Sequence, residues 1–385
     1  MHYLDHNATS PLRPESLSAV THAVSVGGNP SSIHASGRAA RAIMEDARER
    51  IAALVNANAD QVVFTSGATE SNNLALFGAA EGSLEGETSR ITRIFVSAIE
   101  HSSVLATAAK LAERFPWIRV ATLPVTDEGV IDLEALRVAL REGKGRALVA
   151  VMSANNETGV VQPIAEVSKL VREAGALLLV DAVPAAGKID LDFALCDYMV
   201  LSAHKIAGPQ GVGALLVAEG APLAPQLVGG GQQKGLRAGT ENLPGIAGFG
   251  AAAHAVRHAE GERARITHLR DQFELNLKQA ASESVIFGRG AARLCSTSCF
   301  AIPGLTAETA LIGLDLDGVM VSSGSTCSSG KVAVSHVLTA MGVEQELAAC
   351  ALRASFGWNS TIDDVHAATN SLLKLRERIR AREAA

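Results

Sequence analysis

The chain has 385 residues, 48% of them hydrophobic, with 34 Lys and Arg against 40 Asp and Glu. That length holds two domains or one large domain with an appendage, and the apolar fraction is enough for a sizeable core. A net charge of −6 removes the electrostatic argument for a nucleic-acid binder. No apolar stretch approaches the length of a membrane span, so no membrane partner is expected. MHYLDHNATS has no basic region followed by an apolar core, so no secretory signal is expected. The five cysteines, Cys196, Cys295, Cys299, Cys327 and Cys350, are an odd number in a long chain. A disulfide framework is not expected, and a reducing cytoplasm is the natural compartment. Cys295 and Cys299 are the only close pair; without companion ligands they are read as structural, and no metal site is expected.

Glycine, asparagine and proline cluster early, in Gly27-Gly28-Asn29-Pro30-Ser31-Ser32, and a loop is predicted there that runs on through His34 and Gly37-Arg38. A helix follows from about Ala39 to Val55, with Ile43, Ala47, Ile51 and Leu54 at helical spacing. Short apolar runs then recur at Val62–Phe64, Ile94–Val96, Ala147–Met152, Ala176–Val180 and Tyr198–Leu201, with helical or loop stretches between most of them. Continuous rather than alternating apolar runs predict strands buried on both faces, in a mostly parallel sheet covered by helices. Polar residues stand just after each run: Ser66-Gly67-Ala68-Thr69, Glu100-His101, Asn155-Asn156, Asp181, and Ser202 with His204 and Lys205. Ligands of open α/β sheets bind outside the carboxyl ends of the strands, so these ends predict one shared site. After about Gly250 the character changes. Ile266, Leu269, Phe273 and Leu277 mark a long amphipathic helix, and Ser298–Ile302 and Val319–Val321 look like strands of a smaller α+β unit. A final helix starts at a capping-box-like Thr361 and Asp364.

The stretch Met199–Gly211, MVLSAHKIAGPQG, is an apolar strand that ends in a polar cluster and breaks at Gly208-Pro209. A lysine delivered to a site at a strand end is partly desolvated, which lowers its pKa and frees its amine as a nucleophile. Asp181 closes another run, 24 residues earlier. A buried carboxylate keeps a pyridinium nitrogen protonated so that the ring can accept electrons, and Asp181 with Lys205 points to pyridoxal phosphate. The turn Thr65-Ser66-Gly67-Ala68-Thr69 leads from strand to helix and suits a phosphate. Cys327 sits in Ser322-Ser323-Gly324-Ser325-Thr326-Cys327-Ser328-Ser329-Gly330, a hydrophilic loop unlike the surroundings of an inert core cysteine.

Taken together these segments resemble the cysteine desulfurases, pyridoxal-phosphate enzymes of aminotransferase fold type I, class V. The resemblance spans nearly the whole chain, with motifs in family order. They include Tyr3–Thr9, Gly28–His34, Thr65–Asn73, Glu100-His101, Asn155–Gly159, Asp181, Ser202–Lys205, Gly229–Gln232, Arg237–Asn242, the Cys327 loop and Arg353. It implies a large pyridoxal-phosphate-binding domain over 14–252, and a small domain made of 1–13 and 253–385 that carries the cysteine loop. It also implies roles. Lys205 holds the cofactor as a Schiff base and moves protons at the substrate α-carbon. His101 stacks on the ring and takes a catalytic part in acid–base steps, and Asp181 pairs with the ring nitrogen. Ala68, Thr69, Ser202 and His204 hold the phosphate, with Thr240 reaching in from a partner subunit, so a homodimer is implied. Asn155 and Arg353 hold the substrate carboxylate, and a guanidinium suits that task. Cys327 attacks the sulfur of L-cysteine, releasing alanine and keeping a persulfide for a sulfur-acceptor or iron–sulfur scaffold protein. The distance from Cys327 to Ser335-His336-Val337-Leu338 resembles the long-loop type.

Two positions depart from the pattern. Pro184 stands where the family usually places a glutamine beside the cofactor's phenolic oxygen, and Val334 where the loop usually ends in a proline. Proline offers no donor, so a bond worth about 0.5–1.5 kcal/mol is lost or replaced. A selenocysteine lyase or another class V enzyme is the alternative substrate reading, and a low-activity degenerate paralogue the alternative prompted by Pro184.

Overall fold

The computed structural model describes residues 1–84, 90–323 and 334–383. All five apolar runs marked in the sequence become strands of one seven-stranded sheet. Its strands are β1 (Val62–Thr65), β2 (Ile91–Ser97), β3 (Arg119–Leu123), β4 (Arg146–Met152), β5 (Leu177–Asp181), β6 (Tyr198–Ser202) and β7 (Gly213–Val217). The spatial order is β1-β7-β6-β5-β4-β2-β3. From β6 to β3 every pairing is parallel, whereas β7 lies antiparallel to both β6 and β1.

The sequence reading left β3 and β7 unassigned, for different reasons. β3 is an edge strand in which only Leu123 is fully buried, so it carries no continuous apolar run. β7 is a short apolar run placed just past the Gly208-Pro209 break, close enough to β6 to return as a hairpin.

Successive side chains of a strand point to opposite faces, and both faces here are covered. Val149, Val151, Leu178 and Val180 pack under α1 (Pro14–Val26), α2 (Ala35–Leu54), α5 (Leu133–Arg141), α6 (Ile164–Glu173) and α7 (Leu243–Arg257). Leu148, Ala150, Leu177 and Leu179 pack under α3 (Ala68–Gly82) and α4 (Ser102–Arg114). α2 begins four residues earlier than its periodicity suggests, because His34 caps it by accepting a hydrogen bond from the Gly37 amide at 3.2 Å.

A third apolar cluster gathers Leu4 with α8 (Glu262–Ala280), α9 (Ala307–Leu316) and α12 (Ile362–Glu383) against a three-stranded antiparallel sheet. That sheet holds β8 (Val285–Ile286), β9 (Thr297–Ala301) and β10 (Ala351–Ser355), with β9 in the middle. Between β9 and β10 lie the short helices α10 (His336–Ala340) and α11 (Gln345–Ala348). The start of α12 has half of the expected capping box: Asp364 accepts from the Thr361 amide at 2.7 Å.

Phe273 of α8 is wholly buried in this cluster, its ring 5.2 Å from that of Phe300 and 5.9 Å from that of Phe356. Phe273→Ala is expected to destabilise the protein by about 3–5 kcal/mol through the cavity it leaves. Denaturant unfolding measures this, and an unchanged midpoint would contradict the packing described.

Candidate active site

Strand β6 runs apolar and buried to Ser202, then the chain turns through a single 3-10 turn, Ala203–Ile206, that ends at Ala207 in the left-handed region (φ 63°). This turn presents His204 and Lys205 to a cavity of about 770 Å³ at the carboxyl ends of the parallel strands. Its size is that of a small-ligand or cofactor site. The Lys205 amine donates to the main-chain oxygens of Asn7 and Ala8, the latter at 3.0 Å. Burial pulls its pKa down to about 7, with Arg353 and Lys188 adding to the fall and Asp5 and Asp181 opposing it. A free amine is therefore well populated at neutral pH.

Asp181, the last residue of β5, is buried at the same cavity. One carboxylate oxygen accepts from the Val183 amide at 3.0 Å and the other from Asn72 at 3.1 Å. Among the described residues no cation pairs with it, although an unpaired buried charge is costly. The same Asn72 amide donates to Ser103 at 2.9 Å, and the Ser103 hydroxyl lies 2.8 Å from His101 Nδ1. The Ser103 amide also donates to that nitrogen, at 3.1 Å, so in the neutral ring the proton sits on Nε2. Burial lowers the His101 pKa, which favours the neutral ring. Thus Asp181, Asn72, Ser103 and His101 form one hydrogen-bonded line, whose two ends, Asp181 and His101, line the cavity.

At the other end of the cavity, β1 passes into α3 through Gly67, whose backbone (φ 155°, ψ 179°) lies in a region essentially reserved for glycine. No side chain caps α3, so the amides of its first turn, at Ala68 and Thr69, are left for a ligand, with the helix dipole behind them. Gly213 lets β7 pass close by: a Cβ there would meet the Gly67 Cα at 2.8 Å. Ser202 and His204 line the same cavity, and burial, then the charge of Lys205, pull the His204 pKa down to about 4. The cavity thus is lined by a helix start, hydroxyls, a buried carboxylate and a nucleophilic amine. An unpaired carboxylate and an uncapped helix start fit the ring nitrogen and phosphate of pyridoxal phosphate.

The N-terminal segment crosses the cavity and ties its parts together. Asp5 pairs with Arg353 Nη2 at 2.7 Å, and Thr9 lies 3.2 Å from His204 Nδ1. Asn7 holds the main-chain oxygen of Asn156 at 3.0 Å, Thr297 at 2.9 Å and Lys188 at 3.2 Å. Arg353 also donates to the Asn156 oxygen at 3.1 Å, while its buried Nε has no partner. One guanidinium edge is therefore held by Asp5, and a second carboxylate must share or displace that contact. The sequence reading matched Tyr3–Thr9 as a motif but gave Asn7 and Thr9 no task. Asn72 fell within the matched stretch Thr65–Asn73 but was given no task, and Lys188 was not singled out.

The remaining expected residues stand as follows. Asn155 is wholly buried and absent from the cavity wall. Its oxygen accepts from the amides of Glu157 and Thr158, both at 2.9 Å, and its nitrogen donates to the Ile99 oxygen at 3.1 Å. It builds a turn, and its neighbour Asn156 reaches the cavity instead. Thr240 is exposed and does not line this chain's own cavity. Cys327 lies outside the described residues. The chain next to that segment is anchored: Ser335 donates to Glu157 at 2.5 Å and caps α10, and His336 bonds the Glu100 main-chain oxygen at 3.0 Å, one residue before His101. Cys299 is buried in β9 and its thiol pKa is pushed up by burial, as suits a structural residue. Cys295 is half-buried, and its pKa is also raised by burial.

A lysine at a strand end, facing an unpaired aspartate across a cavity with a helix start for a phosphate, defines the site of a fold type I pyridoxal-phosphate enzyme. Comparison with known proteins agrees. The aminotransferase class-V family model matches residues 2–367. The cysteine desulfurase IscS of Dictyoglomus turgidum is 39% identical over 383 residues, 98% of this chain and 95% of that protein. An IscS-like cysteine desulfurase of Mycobacterium tuberculosis is 38% identical over 376 residues, 97% of this chain and 95% of its own. Among solved structures, a NifS-like protein from Rickettsia africae superposes with a TM-score of 0.87 at 32% identity, covering 98% of this chain and 99% of that one. A structure described as SspA in complex with cysteine gives a TM-score of 0.80 at 29% identity, covering 94% of this chain and 100% of that one. The chain belongs to the class-V aminotransferase family and, within it, to the cysteine desulfurases.

Proposed function

We propose that this chain converts L-cysteine to L-alanine and keeps the sulfur as a persulfide on Cys327. The observation that carries this reading is the meeting of Lys205, Asp181 and Arg353 at one cavity, with the cysteine-bearing segment rooted beside His101. Ala68, Thr69, Ser202 and His204 would hold the phosphate, with Thr240 supplied by a second copy in a homodimer. Asp181 would face the ring nitrogen and His101 the ring. Pyridoxal phosphate, when bound, supplies the electron sink for charge released at the substrate α-carbon.

The residues of the chain do the rest. Arg353 orients the substrate by its carboxylate, and the Asp5 contact fixes where the guanidinium stands. Asn155, already occupied, supports this site by shaping the turn that brings Asn156 to the wall. Lys205 moves the proton at the α-carbon, a task suited to an amine whose pKa lies near neutrality. Cys327, as thiolate, attacks the substrate sulfur. A sulfur–sulfur bond forms as the carbon–sulfur bond breaks, and the carbon takes up protons to leave as alanine. The persulfide sulfur then passes to an acceptor or iron–sulfur scaffold protein. The division into a large domain over 14–252 and a small one over 1–13 and 253–385 belongs to the same proposal. So does a cytoplasmic setting, which the free cysteines support; no described helix is long and apolar enough to cross a membrane.

Steady-state assay of the purified chain on L-cysteine, with and without an added thiol, tests the reading. Alanine and sulfide are expected in equal amounts; turnover of selenocysteine alone would favour the lyase reading. Pro184 lines the cavity beside Val183. Pro184→Gln is expected to raise kcat about two- to tenfold by restoring a side-chain donor. An unchanged or lower kcat would show that the site has no vacancy for that donor.

A further inference from the structure

We propose that Lys188 is a positioning residue for Lys205, a second cation bound to the same residue that keeps the Lys205 nitrogen free of an extra proton. This rests on the reading of Lys205 as the cofactor lysine and deepens it.

Asn7 joins the two amines. Its side-chain oxygen accepts from Lys188 at 3.2 Å, and its main-chain oxygen accepts from Lys205. Both lysines line the cavity and both are part-buried. Among the described residues no carboxylate pairs with Lys188, so its charge is not cancelled locally. The groups facing Lys205 are Arg353 and Lys188, which disfavour a proton there, and Asp5 and Asp181, which favour one; His101 and His204 stand nearby. Asp5 is already paired with Arg353 at 2.7 Å, so of the remaining charges Lys188 disfavours a proton on Lys205 and Asp181 favours one. Around Lys188 itself lie Cys295, Arg353 and His6, and burial draws its pKa only to about 8. Lys205 is thus drawn further down, to about 7, and Lys188 is the more readily protonated of the two amines. A like charge held close is one established means of activating a lysine amine.

The test is a spectrophotometric pH titration of the holoenzyme, following the visible band of the lysine-bound cofactor. Its midpoint reports the proton affinity of the Lys205 nitrogen and is independent of turnover. Lys188→Met is expected to move the midpoint up by about one pH unit, a tenfold change in proton affinity. Lys188→Gln keeps a donor for Asn7 without the charge and should shift the midpoint equally; it serves if the Met variant fails to fold. Lys188→Arg keeps the charge and should hold the wild-type midpoint. An unshifted midpoint in Lys188→Gln, or an equal shift in Lys188→Arg, would overturn the proposal. Absence of a visible band from the wild type, or its persistence in Lys205→Ala, would instead overturn the cofactor reading.

Discussion

Lys205→Ala is expected to lose the covalent attachment of pyridoxal phosphate and to form alanine from cysteine at least about 10³-fold more slowly. Two roles end together. In the proposed reaction the amine at the end of β6 bonds the cofactor and also serves as the base at the substrate α-carbon. No other residue can take both. Lys188 is held by Asn7 on the wall, and His101 is fixed through its Nδ1 by Ser103. The fold should survive, because the Lys205 side chain contributes hydrogen bonds to Asn7 and Ala8 but no apolar packing to the core clusters. Borohydride reduction followed by peptide mapping gives the check. In the wild type the cofactor mass should fall on the peptide containing Lys205, and in the variant on none. Cofactor fixed to another lysine in the wild type would displace Lys205 from its role.

Cys327→Ala is expected to separate the two halves of the chemistry. The variant should keep its cofactor and visible band, since no cofactor contact is assigned to Cys327, while alanine formation falls by about 10³-fold or more through loss of the nucleophile. The anchors beside the loop make this a clean substitution. Ser335 and His336 are bound to Glu157 and to the Glu100 main chain, and neither contact involves a residue changed in the variant. Band intensity and alanine release measured on the same sample give the comparison. Desulfuration at the wild-type rate would show that the sulfur goes elsewhere.

Much of this site was legible from residue order alone, because its groups sit where apolar runs stop. Asp181 and Lys205 close β5 and β6, and His101 follows β2 by a short turn, so a parallel sheet brings them together without further information. The phosphate turn was visible for the same reason, as Gly67 between a strand and a helix. What escaped notice was held by contacts between residues far apart in sequence. Asn7 meets Thr297, Asp5 meets Arg353 and Thr9 meets His204, and no periodicity marks such pairs. Lys188 was not singled out in the sequence, and only the fold places it on the wall. Asn155 shows what residue order leaves out. A polar residue after a strand was read as facing the ligand, but two amides and a carbonyl of its own neighbourhood claim it. In the fold, an exposed edge strand and a strand hidden behind a glycine–proline break were missed. The antiparallel course of β7 follows from its short return after β6, which leaves no room for a crossover helix.

The central claim is that the sulfur of L-cysteine moves to Cys327 as alanine leaves. A single-turnover reaction tests it most directly: the holoenzyme is mixed with a limiting amount of L-cysteine, without added thiol, then quenched and analysed for amino acids and for peptide mass. The account predicts one alanine formed for each cysteine consumed, and the mass of one added sulfur on the peptide containing Cys327. Cysteine consumed to pyruvate and ammonia, or alanine formed with no sulfur on that peptide, would contradict it.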